Sequence, residues 1–159
     1  MLLLTGLLAQ VAPNYQPYSI NNHDIELHAT ELHFADETVT AVDFLENAML
    51  TLRPDAIVYR LSLSFDSQRF GHLKITNWQV PAGAMLFIFN DERSYTGPYL
   101  SRSGDEFFSG RFISEKLTLE YFEPVNAEFS GNFKIDGIMP DYVIPSPQNN
   151  DIQNRTYIS

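Results

Sequence analysis

The residues best suited to chemistry in this chain are four histidines, His23, His28, His33 and His72. The first three recur at steps of five. Five residues turn about 140° out of line on a helix, and an odd step on a strand reverses the face. Neither geometry gathers them around one metal, so surface histidines are expected, with His28 beside Glu26 or Glu31 as the alternative ligand set. A serine nucleophile needs a histidine base in reach and a third group to orient it. The chain contains neither GDSGG nor GxSxG, and Ser103-Gly104-Asp105 has the composition of a hairpin tip. Glu120 and Glu123 are the residue type of a glycosidase acid and nucleophile. Glu120 falls in a predicted strand and Glu123 precedes Pro124, which predicts a solvated edge instead. Asn90, Asp91 and Glu92 are oxygen ligands of the kind calcium takes, but without the repeated spacing of an EF-hand loop. A plain turn is expected there. No catalytic set and no cofactor site is predicted.

Aromatic residues are the other chemical resource. Tyr95, Tyr99, Phe107, Phe108, Tyr121 and Phe122 are expected mainly as core filling, with a partner-facing patch or a carbohydrate-stacking platform as the functional readings. Tyr95, Tyr99, Phe107 and Phe108 are the binding residues selected. Neighbours on a strand face opposite sides, so one of Phe107 and Phe108 must leave the core.

The elements that would carry these residues are mostly strands. Residues 24–34 alternate apolar and polar side chains, which predicts one or two half-buried strands. Val42, Leu45, Met49 and Leu52 stand at helical spacings within 38–52, and Pro54 ends that segment. Alternation returns at 57–65 and 72–80, followed by a turn at 81–83 and the apolar run 85–89. Gly97-Pro98, Ser103-Gly104 and Ser109-Gly110 punctuate the next stretch, and strands are predicted at 117–122 and 129–138. Short strands at this spacing predict an all-β fold, a jelly-roll-like β-sandwich of antiparallel strands with one short helix near residues 40–52.

The domain plan has four parts. Residues 1–12 are apolar, and at about 20 residues per bilayer span they are too short to cross one. They resemble the core of a secretory signal peptide that lacks its basic start, or else form a strand or helix of the mature fold. Residues 13–54 hold an extended leader, a strand and the short helix, 55–142 the sandwich, and 143–159 a flexible linker. The net charge of −10 disfavours nucleic acid and anionic membrane surfaces, and favours a monodisperse monomer through self-repulsion. Without cysteine there is no thiolate chemistry and no cysteine-based metal site.

One stretch resembles a known module as a unit. Val80-Pro81-Ala82-Gly83-Ala84 and the run Leu86–Phe89 with Asn90 are followed by Gly97-Pro98-Tyr99 and by Leu119-Glu120-Tyr121-Phe122-Glu123-Pro124. Together they resemble the N-terminal module of secreted bacterial trypsin-like serine proteases of the lysyl-endopeptidase type. The resemblance covers roughly residues 55–142. It implies a non-catalytic pro- or accessory β-sandwich of an exported serine endopeptidase, acting by binding a downstream or associated protease domain. It also implies a secreted, periplasmic or cell-surface location, with Arg155 as the residue for trypsin-like processing of the linker. A secreted carbohydrate- or surface-binding sandwich is the alternative.

Overall fold

A computed structural model of the chain describes residue 17, residues 29–35 and residues 37–140. The signal-like segment 1–12, His23, His28, Glu26, the tail 143–159 and Arg155 lie outside the described residues.

The described residues form eight strands, β1 (Thr30–Phe34), β2 (Val42–Asp43), β3 (Met49–Leu52), β4 (Ala56–Gln79), β5 (Met85–Phe89), β6 (Tyr95–Tyr99), β7 (Phe107–Pro124) and β8 (Asn132–Met139). They form one sheet in the order β2-β8-β4-β7-β5-β6, with β1 and β3 also paired to β4. All pairings are antiparallel except that of β1 with β4. The fold is all-β, and the sheet is not closed on itself.

Alternation predicts two strands at 57–65 and 72–80; a single 24-residue strand runs through both. The polar run 66–69 between them holds no Gly or Pro, and Gly71 after it is a strand residue. The ladder instead shifts register against β7, between Ser64 and Arg69 and again between His72 and Lys74. Such bulges bend a strand without ending it. β7 behaves the same way, and the turn expected at Ser109-Gly110 is strand interior.

The helix expectation is corrected to one turn. Helix α1 spans only Phe44–Asn47. Asp43 caps it by accepting from the Glu46 amide at 3.1 Å. Beyond it the chain exchanges helical hydrogen bonds for a ladder, with Met49 opposite Arg60 and Leu52 opposite Ile57. The helix-like spacing of Met49 and Leu52 is therefore not a buried stripe, and these residues are 39% and 72% exposed on β3.

The main core lies on one face of the sheet, where Tyr59, Leu61 and Leu63 of β4 meet Leu117, Leu119 and Tyr121 of β7. Phe44 of α1 stacks on Phe133 of β8 at 4.6 Å, and Trp78 packs on both Phe133 and Phe107 at 5.0 Å. On the opposite face a second cluster joins Met85, Phe87 and Phe89 to Tyr95 and Phe122.

Gly71 is required where β4 bends. Its φ is +141°, and a Cβ there would run into the backbone carbonyl oxygen of Met139 in β8. Gly71→Ala should cost on the order of 3 kcal/mol of unfolding free energy in denaturant titration, from left-handed strain plus the clash. An unchanged midpoint would show that β8 shifts freely.

Candidate functional site

The turn after β5 uses up its own ligands. Asn90 Oδ1 accepts from the amides of Glu92 at 2.9 Å and Ser94 at 3.0 Å. Asp91 Oδ2 accepts from the Glu115 amide at 3.0 Å. Glu92 is exposed. Asn90 Oδ1 thus holds the turn itself and Asp91 Oδ2 ties it to β7, and no group of three metal-ligating side chains occurs among the described residues.

Three of the four selected aromatics face inward. Tyr95 packs edge-on against Phe87 at 5.6 Å. Tyr99 stacks on Phe107 at 5.3 Å, donates its hydroxyl to Thr96 Oγ1 at 2.8 Å and accepts the Gly110 amide at 2.7 Å. Burial pushes its phenol pKa up, against those two hydrogen bonds. Phe107 is 8% exposed and Phe108 45%, as their adjacency requires.

Phe108 is not alone. Phe70 pairs across the strands with Ile113, and Lys74 with Phe108. Phe70 is 50% and Ile113 42% exposed. Alternation sets Phe70 and Lys74 on one face of β4. Ile113 also borders a cleft of about 390 Å³ between the Asn90–Ser94 turn, β6 and β7, where Glu92, Tyr95, Thr96, Arg111 and Phe112 contribute. Open apolar side chains and a cleft with charged rim groups thus share Ile113. Phe70 and Ile113 were not singled out in the sequence, because alternation with bulges hides which face they take.

Both carboxylates expected at a solvated edge are buried. Glu120 is 1% and Glu123 4% exposed. Glu120 Oε2 receives Arg60 Nε at 2.8 Å. Glu123 Oε1 accepts from Tyr121 Oη and from the Gly131 amide, both at 2.7 Å. Burial first, and then the Glu123 carboxylate, hold the Tyr121 phenol pKa far above its ordinary value. Three residues apart on a strand, Glu120 and Glu123 face opposite sides of the sheet and cannot flank one glycosidic bond. Arg60 Nη1 and Nη2 are buried without a hydrogen-bond partner.

The surface-histidine expectation also divides. His72 is 4% exposed, with Nδ1 at 2.8 Å from the Ser109 carbonyl oxygen. His33 is on the surface but engaged. Its Nδ1 lies 2.8 Å from Ser64 Oγ and its Nε2 2.7 Å from Asp66 Oδ1. That connectivity is a nucleophile, a base and an orienting carboxylate in series. Ser64 Oγ, however, also donates to Glu31 Oε2 at 2.9 Å. A carboxylate there opposes the negative charge that acyl transfer would develop beside the serine. The network laces β1 to β4. The Ser64 hydrogen bond, with Lys116 behind it, holds the Glu31 pKa below its ordinary value.

Compared with known proteins, the chain matches no family model, no curated protein and no solved structure.

The buried pair makes a sharp test. Arg60→Met removes the guanidinium that Glu120 Oε2 accepts from and should cost roughly 3–5 kcal/mol by denaturant unfolding. Arg60→Met with Glu120→Leu should recover most of that loss. A double variant as unstable as the single would show that packing, not charge, sets the cost.

Proposed function

We propose that this chain is a non-catalytic accessory or pro-domain of an exported serine endopeptidase and that it works by binding protein. The observation that carries the reading is the open apolar group Phe70, Ile113 and Phe108, beside the cleft that Ile113 borders, in a chain of net charge −10. Exposed apolar residues grouped on a strand pair mark a contact surface more often than scattered ones do. The long bulged strands β4 and β7, curved about one aromatic core, are consistent with the sandwich-like module that the motifs around Pro81, Pro98 and Pro124 resemble.

In this reading the partner is the protease domain, seated on the Phe70–Phe108 face, and Arg155 is where the two are separated. Expression of the gene's whole product followed by N-terminal sequencing should reveal a new terminus after Arg155. Phe70→Ser with Ile113→Ser should then weaken association of the cut pieces about tenfold or more, as expected for central apolar contacts. A product with no endopeptidase segment, or one left uncut at Arg155, would overturn the reading. Binding to a glycan array with no protein partner would replace it.

A further inference from the structure

Ser64 has one hydroxyl hydrogen, and two acceptors stand within reach of it. Glu31 Oε2 is at 2.9 Å and His33 Nδ1 at 2.8 Å. Asp66 faces His33 Nε2 at 2.7 Å. A carboxylate only accepts, so Nε2 must carry a hydrogen. If His33 is neutral, Nδ1 is then a lone pair that takes the Ser64 hydrogen, and Glu31 Oε2 is left facing an oxygen lone pair. If His33 is the cation, Nδ1–H donates to Ser64 Oγ, the hydroxyl hydrogen goes to Glu31, and every contact is made. Lys116 Nζ completes the series at 3.2 Å from Glu31 Oε1.

We propose that His33 is a proton-operated clasp that holds β1 against β4. As an imidazolium it closes the chain Asp66–His33–Ser64–Glu31–Lys116, and loss of its proton removes one link. The groups facing it are Asp66 and Ser64 from β4 and Glu31 from β1 itself, with Lys116 reaching Glu31 from β7.

The clasp acts on an element with little else to hold it. β1 has five residues, pairs among the described residues only with β4, and alternates half-buried with exposed positions. Leu32 and Phe34 give it apolar contact with the core, and Arg69 Nη2 donates to the Ala35 carbonyl oxygen at 2.9 Å just beyond its end. The change is therefore a loosening of the edge strand, not unfolding. Its direction follows from the hydrogen count: the clasp is closed with His33 charged and opens as pH rises. A second limit comes from Glu31. Its lowered pKa stabilises the seam at neutral pH, and that contribution fades as pH falls into the carboxylate range.

Hydrogen exchange of the β1 amides on the full chain tests this, corrected for intrinsic exchange and compared between about pH 5 and pH 8, the imidazole range. Protection should fall about fivefold toward the alkaline end, the order of one net hydrogen bond. His33→Gln should flatten that dependence while leaving exchange in central β4 unchanged. Imidazole ¹⁵N shifts should show both ring nitrogens of His33 protonated where β1 is best protected. Equal pH dependence in wild type and His33→Gln, or a neutral His33 ring with β1 fully protected, would overturn the proposal.

Discussion

The ladder between β4 and β7 is the constraint on which the rest of this structure depends. Tyr59 lies opposite Tyr121, Leu61 opposite Leu119 and Leu63 opposite Leu117 on the core face. Between them Arg60 lies opposite Glu120, Ser62 opposite Thr118 and Ser64 opposite Lys116 on the other face. Two of these polar pairs bond directly, Arg60 Nε with Glu120 Oε2 and Ser62 Oγ with Thr118 Oγ1, both at 2.8 Å. A slip of one residue would turn Leu61 and Leu63 out of the core and carry Arg60 into it. Apolar alternation alone would tolerate a slip of two. The matched polar series would not, because Arg60 would then face Thr118 and leave the Glu120 charge buried without its partner. The buried pair contributes register more than net stability, since such pairs often only break even against apolar replacements.

The bulges divide this ladder into two regimes. Before them the face that carries Arg60 is sealed, with Ser62, Phe87 and Phe89 all buried. Beyond the first shift the pairs that continue along the ladder, Phe70 with Ile113 between the two shifts and Lys74 with Phe108 after the second, leave large apolar side chains half open. The cleft beside Ile113 lies where β7 has left its pairing with β5, which ends at Thr118 opposite Phe89. The same bend that separates the strands therefore sets the open residues beside a concave wall.

How much of this could be read from the residues alone depends on the range of the interaction. A continuous apolar run marks β5, local alternation marks the paired halves of β4, and adjacency alone splits Phe107 from Phe108. The failures are long-range. Nothing near Glu120 announces that its partner is Arg60, 60 positions away. Without that partner a glutamate between Leu119 and Tyr121 reads as solvated. The same holds for His33 and Ser64, 31 positions apart. Bulges are hidden for another reason, since the run from Asp66 to Arg69 has the polarity of a loop yet stays in the strand because the ladder resumes on either side. The residues from Val42 to Leu52 carry a helical period that their backbone abandons after one turn, because β4 and β8 offer hydrogen bonds that a short exposed helix could not match.

Two polar devices thus fasten the outer face, and their chemistry suits their positions. At the centre the sheet uses a guanidinium against a carboxylate, both 1% exposed, a pairing whose planar fork suits a fixed geometry. At the edge it uses an imidazole and a carboxylate that are 51% and 55% exposed, where solvent screens the charges and exchanges the protons. Exchanging the two would fail in both places. A central imidazole would make the whole register answer to acidity, and an edge guanidinium would leave β1 equally fastened at every pH. The proposed clasp thus sits at β1, while the ladder that sets the register is held by the Arg60–Glu120 pair.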